Sequence, residues 1–464
     1  MELYLSENCE RDTIMKKLSF KEIITVASML FGMFFGAGNL IFPAYMGQMA
    51  GRNMWQASAG FLITGVGLPL LGVAALGISQ ENGLLGLSSR VGKWFGLFFT
   101  CALYLTIGPF FAIPRCATVS YTVGIERMLP GTDQRLVLAV FSLLFFGAVL
   151  FFSLRPGEIL TWIGKVLNPL FLVFLGILII RALASPLGTI SEISPSGAYL
   201  SGAFSTGLLE GYNTMDALAG LAFGIIVVET IRRLGVREPG EIAKNTVLAG
   251  IFSSILMGLI YILVTMAGAQ SRGMFEAGSN GGEALAQIAM HYFGNAGLII
   301  LAVTVTVACL KTAVGLITSC GETFTKMFPG GPSYRVWAVI FCVLSFLIAN
   351  FGLNTIIAYS QPVLMFLYPI AIVLILLTLF GSFFQNDLTV LRWTIGLTSV
   401  SAVCDFLRAL PEQAQSVLHL ESIIELTSDL FPFADRGFGW ITPALAGLVI
   451  GLLIRYFRRS AKNN

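Results

Sequence analysis

Apolar runs of about 20 residues, the length of helix that crosses a bilayer core, recur along this chain and constrain it more than any other feature. They lie at about 21–47, 55–78, 94–124, 135–154, 158–182, 203–232, 242–269, 296–324, 335–350, 354–380, 389–409 and 438–457, which predicts an all-α integral membrane protein of twelve spanning helices. Of 464 residues, 56% are hydrophobic and 11% charged, whereas a soluble domain carries about 25% charged residues. Long runs of this kind, with no alternating segments of about 10 residues, exclude an outer-membrane barrel. The formal charge of +3 is too small to imply a nucleic-acid partner. The seven cysteines fall mostly inside apolar runs without a CxxC pair, so neither a disulfide framework nor a zinc site is indicated. His291 and His419 fall in expected loops, and no cofactor or metal centre is expected.

Arginine and lysine orient the runs, because cytoplasmic loops hold the excess. Eighteen of these residues fall on the side of the N-terminus and seven on the other, with Arg115, Lys165 and Lys311 inside spans. Both termini are therefore expected in the cytoplasm. Residues Met1 to Asp12 are polar and acidic, no cleavable signal is apparent, and Met15 is a plausible start.

Two spans are interrupted. In Phe31-Gly-Met-Phe-Phe-Gly-Ala-Gly-Asn39, three glycines and an asparagine break the first run, and glycine costs about 1 kcal/mol relative to alanine in a helix interior. In lipid, unwound backbone survives only where protein buries it or it lines a polar cavity. The sixth run repeats the pattern with Leu209-Glu-Gly-Tyr-Asn-Thr-Met-Asp-Ala217. Interrupted spans at corresponding places in two halves point to inverted repeats with a binding site where the breaks meet. The chain then divides into a tail (1–20), a first repeat (21–182), a second repeat (203–380), two added helices (389–457) and a second tail (458–464).

Four blocks carry a family resemblance: Phe34-Phe-Gly-Ala-Gly-Asn-Leu-Ile-Phe-Pro43, Ile107-Gly-Pro-Phe-Phe-Ala-Ile-Pro-Arg-Cys-Ala-Thr-Val-Ser120, Gly211-Tyr-Asn-Thr-Met-Asp-Ala-Leu218 and Ala308-Cys-Leu-Lys-Thr-Ala-Val-Gly-Leu316. The sequence resembles the branched-chain amino acid:cation symporter family over nearly all of its length after about Lys16. That resemblance implies a LeuT-type fold with discontinuous helices 1 and 6, uptake of leucine, isoleucine and valine across the cell membrane, and H⁺ or Na⁺ as the coupling ion. The small-molecule substrate and the bilayer are the expected partners, and the carrier is expected to be monomeric.

A zwitterionic aliphatic substrate needs partners for a carboxylate and an ammonium, plus an apolar pocket. N–H groups freed around Phe35, Gly36, Ala37 and Gly38 point a positive dipole end at an anion. Carbonyls near Gly211, Tyr212, Asn213 and Thr214, with the Thr214 hydroxyl, would meet the ammonium. Phe34, Phe35, Tyr212 and Met215 would take the side chain, although helix packing competes for each aromatic.

Charges within the membrane cost about 2.5–3.5 kcal/mol on insertion scales and are functional candidates. Arg115 either pairs with Glu210 or Asp216, pinning spans 3 and 6, or touches substrate; Asp216 alternatively caps the second half of span 6. Glu229 and Lys165 are read as snorkelling to the cytoplasmic ends. The resemblance places a sodium site at the Gly32 and Phe35 carbonyls and an alanine-x-x-hydroxyl-hydroxyl motif in span 8. Here that motif reads Ala308-Cys-Leu-Lys-Thr312. Lys311 replaces one hydroxyl, and its ammonium takes the cation's place, so proton coupling is favoured over sodium. Snorkelling, or a static pair of Lys311 with Asp216 or Glu322, are the alternatives. Asn39 resembles a ligand of the fold's other sodium position. A sodium-coupled symporter or an exchanger of another neutral amino acid is the nearest competing reading. No ATPase motif GxxxxGK[ST] occurs. A channel is disfavoured because breaks in two non-equivalent spans suit a single occluded site, and a membrane-embedded enzyme because the sequence holds two loop histidines and no HExxH.

Overall fold

The computed structural model describes residues 17–36, 38–129, 131–155 and 172–463. Ala37, Lys165, most of the expected fifth span and residues 1–16 lie outside the described residues. Within the described residues the secondary structure is helical throughout. Among the described residues eight helices are long and apolar enough to cross a membrane, or nine if the bent pair Tyr199–Tyr212 and Asp216–Arg233 counts as one span.

The first helix, Phe20–Phe34, opens on a capping box: the Glu22 N–H donates to the Ser19 hydroxyl, and the Ser19 N–H donates to the Glu22 carboxylate. This satisfies two amides that a helix start otherwise leaves open. A second helix begins at Gly38 and runs to Ala50. Between them, Phe35 is extended at φ −72°, ψ 100°. Between the second and third runs lies the short helix Gly83–Ser89. Between the last two runs lie the short helices Glu412–Val417 and Glu421–Leu430. His291, expected in a loop, is helical; the Gly281–Met327 helix carries it just before a kink at Gly294 with φ 59°, ψ −152°.

Packing around the two interruptions is reciprocal. Gly38–Ala50 lies against Pro239–Ser271, and Asp216–Arg233 lies against Leu68–Ser79. Without a hydrophobic drive between helices in lipid, small residues allow close van der Waals approach. Gly47 and Gly268 do so at the first contact, each set against the backbone of the other helix, at Thr265 and Ala44 respectively. Gly220 does so at the second, where an added Cβ would stand 2.7 Å from the Pro69 carbonyl oxygen. The interrupted helices also meet each other, Gly38–Ala50 lying against Tyr199–Tyr212 and Phe20–Phe34 against Asp216–Arg233.

Candidate functional site

At the first interruption the glycines leave amides without helical partners, and a side chain three residues on supplies one. The Gly36 N–H donates to Asn39 Oδ1 at 2.8 Å. Pro43, inside the Gly38–Ala50 helix, has no N–H to offer the carbonyl four residues before it, which keeps the start of this helix polar. At the second interruption the Tyr199–Tyr212 helix gives way through Asn213 and Thr214 to Met215, in the left-handed region at φ 63°. That conformation costs a non-glycine residue about 1–2 kcal/mol. The helix resumes at Asp216, bent by 42°.

Asn39 joins the two interruptions. Its Nδ2 donates to Asp216 Oδ2 at 2.6 Å and also contacts the Tyr261 hydroxyl, which in turn donates to the same carboxylate oxygen at 2.9 Å. All three residues are buried, with exposures of 2%, 3% and 1% for Asn39, Asp216 and Tyr261. A buried carboxylate needs donors of this kind, since desolvation without them is costly. Asp216 therefore does not cap its helix as expected. It is the first helical residue, Met215 holds the cap position, and the Asp216 N–H donates to Thr214 Oγ1 at 3.3 Å.

Arg115 differs from expectation in the same way. Among the described residues no ion pair joins it to Glu210 or Asp216. Its Nη1 donates to the Asn213 carbonyl at 2.7 Å and its Nη2 to the Thr214 carbonyl at 3.4 Å, while the guanidinium lies 5.0 Å from the Phe42 ring centroid. The Gly211 carbonyl accepts the Thr214 hydroxyl at 2.9 Å. So all four carbonyls expected to stand free for an ammonium are occupied in this conformation, those of Asn213 and Thr214 by Arg115 and that of Tyr212 by the Met215 N–H at 3.0 Å. Glu210 instead accepts from Asn213 Nδ2 at 3.3 Å.

Gly36, Gly38, Asn39, Arg115, Thr214 and Asp216 line one side of a cavity of about 40 Å³ between the interruptions. That is room for water and too little for an amino acid. Phe34 and Met215 supply its expected apolar wall, together with Met33, Ile107, Phe223 and Leu316, which the sequence did not single out. Phe35 and Tyr212 are turned elsewhere. Phe35 stacks on Phe31 at 4.9 Å and Tyr212 on Tyr368 at 4.0 Å between ring centroids. Gly211 is a packing residue, pressed against Thr64.

The candidate cation position lies one turn below the first interruption. Lys311 Nζ is 3.4 Å from the Gly32 carbonyl oxygen, and no ion pair to Asp216 or Glu322 holds it among the described residues. Thr312 donates its hydroxyl to the Ala308 carbonyl at 3.1 Å, as helical threonines commonly do, and its side chain faces Gly36. Glu322 lines a separate cavity of about 540 Å³ with Glu229, Arg232 and Lys326.

Tyr261 and Tyr368 are the residues the sequence reading missed. A hydroxyl in the middle of the 242–269 run is the only signal Tyr261 offers, and aromatics are too common here to mark it.

The fold is shared with Mhp1, a nucleobase-cation-symport-1 family transporter. The inward-facing conformation of Mhp1 matches with a TM-score of 0.61 over 95% of this chain and 91% of that one, at 14% identity. The closed conformation with bound bromovinylhydantoin matches with a TM-score of 0.59, over 94% and 93%, at 15% identity. The LeuT-type architecture implied by the sequence is thus present. Sequence relationship goes further. Residues 19–458 match the family model described as branched-chain amino acid transport protein. The branched-chain amino acid permease BrnQ of Lactobacillus delbrueckii subsp. lactis is 51% identical over 92% of this chain and 95% of its own length. BrnQ of Bacillus subtilis (strain 168) is 41% identical over 96% and 99%. Relatives matched end to end at such identity, together with a family model spanning nearly the whole chain, leave no room for a different family or for an enzyme. The chain belongs to the branched-chain amino acid transport protein family.

Proposed function

We propose that this chain is a secondary carrier that imports leucine, isoleucine and valine across the cytoplasmic membrane by alternating access, driven by a cation gradient. One observation carries the reading: two helix interruptions, distant in sequence, meet at a small buried cavity and are joined there by Asn39 and Asp216. Discontinuous helices with opposed ends at mid-membrane are the arrangement that holds a zwitterion and its coupling ion in carriers of this architecture. In this reading helices 1 and 6 of twelve are the discontinuous ones, the repeats 21–182 and 203–380 are related by a pseudo-twofold axis, and both termini are cytoplasmic. Spans 1, 2, 6 and 7 rock against 3, 4, 8 and 9, and the chain acts as a monomer.

The carboxylate of the substrate lies at Gly38, where the second half-helix of the first interruption starts, its ammonium near the carbonyls of the second interruption, and its aliphatic group against Phe34, Met215, Phe223 and Leu316. The cavity must widen to admit it, as one half of the carrier swings away from the other. Coupling to protons is favoured over sodium. The Lys311 ammonium beside the Gly32 carbonyl supports this choice, since a fixed positive charge there repels a cation that wants oxygen ligands. Counterflow of labelled leucine in proteoliposomes tests carrier action: exchange that saturates with unlabelled branched-chain amino acids is expected, and its absence rejects the reading. Leucine uptake under separately imposed Na⁺ and pH gradients tests the ion.

A further inference from the structure

Among the described residues Arg115 is the most deeply buried cation, 3% exposed, and no carboxylate among them is in ion-pair contact with it. Burying an unpaired charge is expensive, and the two carbonyls on its Nη atoms satisfy only part of a guanidinium that carries five N–H donors. The group lines the cavity between the interruptions. It also lies against the start of the Gly38–Ala50 helix. A Cβ at Gly38 would stand 2.9 Å from Nη2 and 3.3 Å from Cζ, so a side chain there would displace the guanidinium from this backbone.

Two positive features therefore converge on one spot: the N-terminal end of a helix and the flat face of an arginine. The negative features are elsewhere. Asp216 has its Oδ2 engaged by Asn39 and Tyr261, and the carbonyls of Asn213 and Thr214 are turned to Arg115 itself.

We infer that Arg115 is the carboxylate-binding residue of the site, and that its guanidinium, braced on the carbonyls of the second interruption, clamps the substrate carboxylate against the first. This rests on the carrier reading above and gives it a selectivity. Arg115 already covers two carbonyls that would serve an ammonium, so the site reads the carboxylate more strictly than the amine. The planar fork suits that task, because arginine meets a carboxylate through two parallel N–H donors where lysine offers a point charge. The clamp adds a second link between the two interruptions, through the substrate itself and beside the Asn39–Asp216 bond, and a ligand without a carboxylate does not form it.

The test is competition against labelled leucine uptake in proteoliposomes, using leucinamide (ammonium without carboxylate) and 4-methyl-2-oxopentanoate (carboxylate without ammonium). In the unmodified chain the oxo acid is expected to compete and leucinamide to fail. Equal or better competition by leucinamide overturns the inference without any variant. In Arg115→Gln the leucine affinity is expected to fall about 10- to 100-fold, the worth of a charged hydrogen bond, while leucinamide affinity holds or improves. Arg115→Lys is expected to lie between the two. A purely structural arginine would weaken leucine and leucinamide alike, and that result also overturns the inference. Binding is followed in parallel by ligand-induced shifts in thermal unfolding of the purified protein, so that a variant defective in transport still reports its ligand preference. If leucine fails as a substrate of the unmodified chain, the carrier reading fails first; if leucine is carried and the two analogues are not distinguished, only the role of Arg115 falls.

Discussion

Lys311 Nζ stands 3.4 Å from the carbonyl oxygen of Gly32, in the last turn of the helix that ends at Phe34. A lysine on the long Gly281–Met327 helix thus reaches into the edge of the first interruption, where a carbonyl lacks a helical donor.

Replacing Lys311 with threonine removes this cation and restores a hydroxyl beside Thr312. Leucine uptake by the unmodified chain is expected to respond to an imposed pH gradient and to ignore sodium. Lys311→Thr is expected to lose the pH response and to gain stimulation by Na⁺, measured in proteoliposomes with each gradient imposed alone. A variant that remains sodium-independent and as pH-responsive as its parent rules out the assignment.

The Asn39–Asp216–Tyr261 cluster ties three helices at the cavity. Asn39→Ala strips a donor from a buried carboxylate, a loss of about 1.5–3 kcal/mol. Tyr261→Phe removes the other donor to the same carboxylate oxygen but leaves Asn39 and its bond from Gly36 in place, so its cost lies at the lower end of that range, about 1.5 kcal/mol. The thermal midpoint of the purified protein should fall in that order, and uptake should fall further in Asn39→Ala because both interruptions lose their link.

Gly211 tests packing rather than binding. An added Cβ would stand 2.0 Å from the Thr64 hydroxyl oxygen, which itself donates to the Leu208 carbonyl at 2.7 Å. Gly211→Ala is expected to destabilise by about 1–3 kcal/mol, the usual range for overpacking. Thr64→Ala in the same chain should recover part of the loss. A double-mutant cycle on thermal stability measures the coupling, and strict additivity would show that the two sites do not touch.

Outside the spans, Arg127 Nη2 donates to Glu283 at 2.8 Å. Burial alone would raise the carboxyl of Glu283. The Ser279 N–H and hydroxyl and the Arg127 charge outweigh it, and hold the group below its ordinary 4.5. A carboxylate with a depressed folded value contributes stability above the unfolded value and loses it as pH falls through the folded one. Protection of amides near Ser279 should therefore weaken below about pH 4.5 in hydrogen exchange. Glu283→Gln should show no such change. Both partners are about one-third exposed, so the effect stays below about 1 kcal/mol.

What the sequence determined by itself is local. Spanning length, apolar composition and the glycines of Phe31–Asn39 are properties of contiguous residues, and a helix that must satisfy its own backbone in lipid declares itself from such a stretch. The helices Gln134–Leu154, Tyr334–Ala349 and Leu388–Ala409 stand within a residue of the runs at 135–154, 335–350 and 389–409. The interruption after Phe34 was legible for the same reason.

Tertiary structure alone decided the partners. Asn39 and Asp216 are separated by 177 positions, and Asn39 and Tyr261 by 222, so their meeting depends on how helices rotate and pack rather than on any local pattern. Arg115 shows the limit most clearly. Sequence reasoning looked for a carboxylate, because charge is a side-chain property and can be read from composition. The partners are main-chain carbonyls of Asn213 and Thr214, which every residue possesses and only an unwound helix exposes. Which carbonyls are free, and what reaches them, is settled by geometry after the chain has folded.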